Sequence, residues 1–263
     1  MKKMLLLITM AAIAFLGAGT ALAETITIVG TGSGAAVLKS MGKVFNAQHP
    51  DVKVEVPKSI GSGGGFKAVG TDKNVLGRVA REPNEKEKAY GLTYLPYAKN
   101  PIVFFVNPSV GIKDLTPKQV CDIYSGKITN WKDVGGPDAK IRVIRREEGD
   151  SSLQVLRKSF PGFSEITLTK KSKTTFSDPS TCELVENKEN TIAFGTYANA
   201  RNHNVNILTI DGKKVSDPDY LYVGTLALVF KDKNKTGHVD KFIDFATSKA
   251  AHEAIRAAGS VPL

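Results

Sequence analysis

TITIVGTGSGAAVLKSMGKVFNAQHP, residues 25–50, decides the fold. A short β-prone run (TITIV, 25–29) meets a glycine-rich turn, and the turn meets a helical pattern. In that pattern Val37, Leu38, Met41, Val44 and Phe45 share one helical face, and Pro50 stops it. A strand that feeds a helix through a tight glycine turn is the unit of α/β proteins. The same unit recurs along the chain. VKVEV (52–56) alternates as a strand does, and SIGSGGGF (59–66) turns from it into a short helix. NVLGRVA (74–80) and PIVFFV (101–106) read as strands, the second apolar throughout as if buried on both faces. A helix runs from about Pro117 to Gly126, and IRVIRR (141–146) is a strand. TIAFGTYANA gives strand then helix, VNILTIDGKKV a hairpin turning at Asp211-Gly212, and TLALVFK a further apolar strand. HVDKFIDFATSKAAHEAIRAAG closes the chain with two helical stretches. The expected fold class is α/β with mostly parallel sheets, and no internal repeat is visible.

The N-terminal MKKMLLLITMAAIAFLGAGTALAE has a basic start, an apolar run and Ala21-Leu22-Ala23 as a small-x-small site. It reads as a secretory signal peptide cut after Ala23, and it is short for a bilayer span. No cysteine stands at the cut, which argues against a lipoprotein. The formal charge of the whole chain is +10. Export and scattered lysines argue against nucleic acid, and a basic balance also suits a small anion. Cys121 and Cys182 are the only cysteines; in an exported protein they are either a disulfide or two buried thiols. His49, His203, His238 and His252 have no metal-ligand spacing, so no metal and no cofactor are expected.

Three polar loops follow strands and enter helices: GTGSGA (30–35), IGSGGG (60–65) and RREEGDSS (145–152). Helix starts offer unpaired N–H groups and the positive end of the dipole. Glycine lets backbone approach a ligand closely, and serine adds a neutral donor. This is chemistry for holding an oxyanion without a metal. Arg146 supplies a fixed charge and a forked donor, with Glu148 as its expected brace; the plainer alternative is a surface ion pair with Glu147 or Glu148. No loop carries the GK[ST] ending of a nucleotide P-loop. G-x-S-x-G is absent, and no histidine is placed beside a serine, so no catalytic residue is assigned and an enzyme is not expected.

With these loops in place, the chain resembles the phosphate-binding proteins of bacterial ABC phosphate importers, which are type II periplasmic binding proteins of the PBP-like family. The resemblance covers nearly all of the mature chain. It rests on the glycine loops, on SGKITNW (125–131), and on R-x-x-G-x-x-S at Arg146, Gly149 and Ser152. It implies two α/β lobes with the ligand cleft between them: lobe one at 24–105 plus 222–263, lobe two at 106–221. It implies that Ser33 and Gly34, Ser62, Arg146, Ser151 and Ser152 contact the ligand. Two departures mark this chain. Asp150 and Ser151 stand where serine and glycine are common, so Asp150 either accepts a proton from the ligand or merely caps the helix. GRVARE (77–82) ends in Arg81 and Glu82, which makes Arg81 a candidate second cation. The implied function is capture of inorganic phosphate in the periplasm, as a monomer, for the permease of an ABC transporter in the inner membrane. Sulfate, molybdate or tungstate capture is the alternative within that fold, and an exported interaction protein is the alternative outside transport.

Overall fold

The computed structural model describes residues 23–263, so the expected signal peptide lies almost wholly outside the described residues. The chain starts with β1 (Glu24–Gly30), α1 (Ala35–Gln48), β2 (Val52–Glu55), α2 (Gly61–Gly70), β3 (Leu76–Val79) and a one-turn α3 (Glu85–Lys88). β1 lies between β2 and β3, parallel to both. Val37, Leu38, Met41 and Phe45 put the apolar face of α1 onto this sheet.

β4 (Thr93–Val106) then carries the chain out of the first sheet and into a second. Its first part pairs with β11, and residues 102–106 pair with β8. The expected strand over 101–106 is therefore the second half of a longer one. Two prolines hid the first half, and both stand where the ladder breaks. The register slips between Leu226 and Ala227, opposite Pro96 and Ala98, so Tyr97 is an extra, bulged residue. Pro101 pairs with Val223, at the end of the ladder with β11.

The second sheet is reached through β5 (Asp114–Leu115) and α4 (Pro117–Ser125), which starts on a Thr116–Gln119 capping box and ends on left-handed Gly126. β6 (Arg142–Arg146), α5 (Ser151–Ser159), β7 (Lys173–Thr175), α6 (Asp178–Glu186), β8 (Thr191–Thr196) and α7 (Tyr197–Ala200) follow. β6 is parallel to both β7 and β8. The expected hairpin at 205–215 shrinks to the short β9 (Asn206–Ile207) and β10 (Thr209–Ile210) and one bridge, Ile210 to Lys213, around a left-handed Asp211-Gly212 turn. The chain returns through β11 (Val223–Phe230) to α8 (Gly237–Ala246), α9 (Lys249–Ala257) and β12 (Val261–Pro262) on the first sheet.

Two main apolar cores result, one around Phe45, Leu228 and Phe242, the other around Phe104, Tyr124, Trp131 and Phe194. The sheets are mixed rather than mostly parallel. The chain crosses between them on β4 and returns on β11, and both strands run against their neighbours. Cys121 and Cys182 are both free thiols, buried in different cores. No described helix is long and apolar enough to cross a membrane.

Candidate functional site

The first and third polar loops leave the carboxyl end of a strand, whereas the second, IGSGGG, is the start of α2 itself: Ile60 is the N-cap and Gly61–Gly65 are helical, with the loop proper lying before them. On the first, Gly30 (φ +136°) ends β1 so close to β3 that an added Cβ would stand 1.9 Å from the Arg78 carbonyl. Thr31 then turns the chain, and its hydroxyl accepts the Ser33 amide at 3.3 Å. Gly34 caps α1 with no side-chain bond. On the third loop, Asp150 caps α5: its Oδ1 accepts the Leu153 amide at 2.8 Å, and Leu153 and Leu156 anchor the helix in the core.

Packing brings the first and third loops together. Ser33 Oγ lies 3.3 Å from Ser151 Oγ and donates to Asp178 Oδ2 at 2.9 Å. The same Asp178 oxygen accepts Arg146 Nη1 at 3.0 Å, while Asp178 Oδ1 accepts the Thr196 amide at 2.9 Å. Arg146 Nη2 lies 3.0 Å from Asp150 Oδ2, and its Nε lies 3.3 Å from Glu147. Arg146 is 3% exposed and Asp178 is 0% exposed, so these charges are paired out of water. Burial alone would weaken the hold of Arg146 on its proton. Asp178, Asp150 and Glu147 overcome this and raise its pKa. The carboxyl of Asp150 goes the other way: burial, with Asp178 and Glu147 adding to it, pushes it up to about 7 against the pull of Arg146 and the Leu153 amide. Ser152 is fully buried, and among the described residues its Oγ has no hydrogen-bond partner.

Ser33, Arg146, Asp150 and Ser151 thus form one cluster, with Gly34 and Ser152 next to it in sequence. Ser62 and Arg81 stand outside it. Ser62 opens α2, and its hydroxyl accepts the Ala80 amide at 3.1 Å. Arg81 forks onto Glu87 at 2.6 and 2.7 Å and lies 5.3 Å from the Phe66 ring centroid, so its charge already has a counter-charge. It shares a groove of about 260 Å³ with Ser151. Glu148 is not the brace of Arg146: it pairs with Arg145 and Arg157, because Glu147, Asp150 and Asp178 hold that guanidinium from the inside.

Sequence reasoning missed Asp178, and it missed α6, which Asp178 begins. It also missed Asn199, which donates to the Gly32 carbonyl at 3.4 Å, and Asn100, which donates to the Ser33 carbonyl at 3.3 Å. The run SDPS (177–180), a cap followed by proline, was the available signal for the start of α6. Among the described residues no group of three or more His, Cys, Asp or Glu could hold a metal ion. The arrangement offers hydroxyl and amide donors, a buried guanidinium and two carboxylate acceptors, a set suited to an oxyanion that carries a proton.

Comparison with known proteins gives the family and the fold. A model of the PBP superfamily domain matches residues 17–250. The phosphate-binding protein PstS of Borreliella burgdorferi is 24% identical over 252 residues, covering 90% of this chain and 89% of that protein. PstS of Bacillus subtilis is 24% identical over 240 residues, covering 88% and 78%. A solved structure from Clostridium perfringens, described as a phosphate ABC transporter substrate-binding protein with bound phosphate, superimposes with a TM-score of 0.81 at 27% identity. It covers 91% of this chain and 100% of that one.

Proposed function

The chain belongs to the PBP superfamily, and on that premise we propose that it captures inorganic phosphate between its two lobes and delivers it to an ABC importer. The observation that carries this reading is the cluster at Arg146, where Ser33 from the first loop meets Ser151 and Asp178 from the other side and Arg146 holds Asp150 and Asp178. Lobe one takes residues 24–105 plus 222–263 and lobe two takes 106–221, with β4 and the stretch at 221–223 as the two crossings. The protein works as an exported, periplasmic binding protein and carries out no chemistry on its ligand.

Ser33, Gly34, Ser62, Ser151 and Ser152 act as donors, and Arg146 supplies the charge. Arg81, held on Glu87, bounds the groove rather than forming the charged centre of the site. A ligand touched by both lobes favours the closed form, since only that form makes every contact. The closed form is then what the permease reads.

Asp150 and Asp178 give the site its selectivity. Phosphate still carries a proton at neutral pH and can donate to a carboxylate. Sulfate carries none, and would leave a buried acceptor facing a like charge. Calorimetric titration of the anion-stripped mature protein tests this. One-to-one phosphate binding is expected, with sulfate silent, and Asp150→Asn should narrow the gap between the two anions. A wild-type protein silent to phosphate but responsive to sulfate or molybdate would replace the ligand. An unchanged gap in Asp150→Asn would leave Asp150 as a helix cap alone.

A further inference from the structure

Arg78 takes no part in the cluster around Arg146. It sits within β3 and is 0% exposed. Its Nε donates to the Thr31 carbonyl at 2.7 Å, its Nη2 to the Pro57 carbonyl at 2.7 Å, and its Nη1 to the Ile28 carbonyl. Every one of these partners is backbone. Among the described residues no carboxylate pairs with it, and its one charge-sensitive neighbour is Tyr97. A buried cation without a counter-ion is costly, and proteins rarely keep one without a use for it. Burial brings the guanidinium down to about 10, so it is still charged at neutral pH.

The position of those carbonyls gives the use. Ile28 and Thr31 flank the start of the first glycine loop, and Pro57 precedes the second. Arg78 gathers their oxygens on its own side of the loops. From Thr31 the contacts continue through the Ser33 amide to the Ser33 hydroxyl and on to Asp178. Tyr97, the bulged residue of β4, is 2% exposed with a hydroxyl that has no partner among the described residues, and an added Cβ on Gly34 would meet that hydroxyl at 3.3 Å. The loops of the two sides are therefore braced differently. Arg146 lies against Glu147, Asp150 and Asp178, whereas Arg78, buried behind the first two loops, pairs with no carboxylate among the described residues.

We propose that Arg78 is a positioning residue that sets which charge form of phosphate the site accepts. It keeps the carbonyls of both lobe-one loops turned from the ligand, and its unpaired charge lets the dianion sit beside Asp150 and Asp178. This rests on the phosphate reading above.

The test is the pH profile of phosphate affinity between pH 6 and 8, where phosphate passes from mostly monoanion to mostly dianion. For the wild type, affinity for total phosphate should stay within about threefold across that range, since both forms are accommodated. Arg78→Lys keeps the charge and loses part of the fork; it should bind more weakly with the same profile. Arg78→Gln keeps a donor and loses the charge; its affinity should fall in step with the monoanion, by about sevenfold on going from pH 6 to pH 8. A purely structural role would weaken both variants and leave both profiles alike, which overturns the proposal. So does a wild-type affinity that declines in step with the monoanion, and this measurement stands even if neither variant folds. A wild type that binds no phosphate at any pH sinks the phosphate reading itself, and this inference with it.

Discussion

Asp150 accepts the Leu153 amide with one oxygen and faces Arg146 with the other, yet its carboxyl is pushed up to about 7. Burial is the main cause, and it outweighs the adjacent guanidinium. The sign for stability follows. In the unfolded chain this group titrates near 3.8, so from there to about pH 7 the native state holds a proton that the unfolded state has released. Asp150 therefore contributes stability that is complete below pH 4 and is lost as pH rises through 7. Urea midpoints of the ligand-free protein should fall from pH 5 to pH 8, and Asp150→Asn should flatten that slope. Equal slopes would mean an ionised Asp150 throughout. Arg146, Asp150, Ser151 and Ser152 were legible in the sequence because they are near neighbours in one loop, and a helix start with so many polar groups announces itself. Asp178 was not legible. It is 32 residues from Arg146, and its local signal is that of an ordinary helix start. Arg78 was hidden differently: one arginine in a short strand reads as a solvent-facing residue, and only packing shows it buried.

Elements that carry their own punctuation matched their expected bounds. α4 has its capping box and Pro117 at one end and Gly126 at the other, and α1 is stopped before Pro50. β4 did not match, because proline argues against a central strand, and its bulge at Tyr97 exists only in the pairing with β11, far along the chain. α6 was missed because its amphipathic pattern is faint over nine residues. The turn between β1 and α1 tests how tightly such junctions are built. Gly30→Ala would force a side chain into positive φ and against the Arg78 carbonyl. It should cost about 2 kcal/mol or more, from backbone strain and overpacking together. The denaturant midpoint should drop with an unchanged m-value. A loss under about 0.5 kcal/mol would show that β1 and β3 separate easily at this point.

At the scale of the whole molecule, the α/β class and two-lobed architecture were visible in the order of strands and loops and in the family resemblance. The mixed direction of the sheets was not, since strand polarity depends on where the chain crosses. A ligand gripped from both sides should couple the two cores. At one hundred times its dissociation constant, phosphate should stabilise the protein by about 2.7 kcal/mol. For a chain of this size that is a rise of roughly 5–10 °C in melting temperature. Sulfate at the same concentration should give none; an equal rise with both anions would point to a general salt effect. The two thiols have a practical consequence. Cys121 and Cys182 lie in separate interiors, 8% and 0% exposed, so the native protein should react slowly with maleimide dyes. One exposed cysteine introduced on each jaw would label well ahead of the native thiols, and the distance between two fluorophores there would report the jaws closing, one molecule at a time.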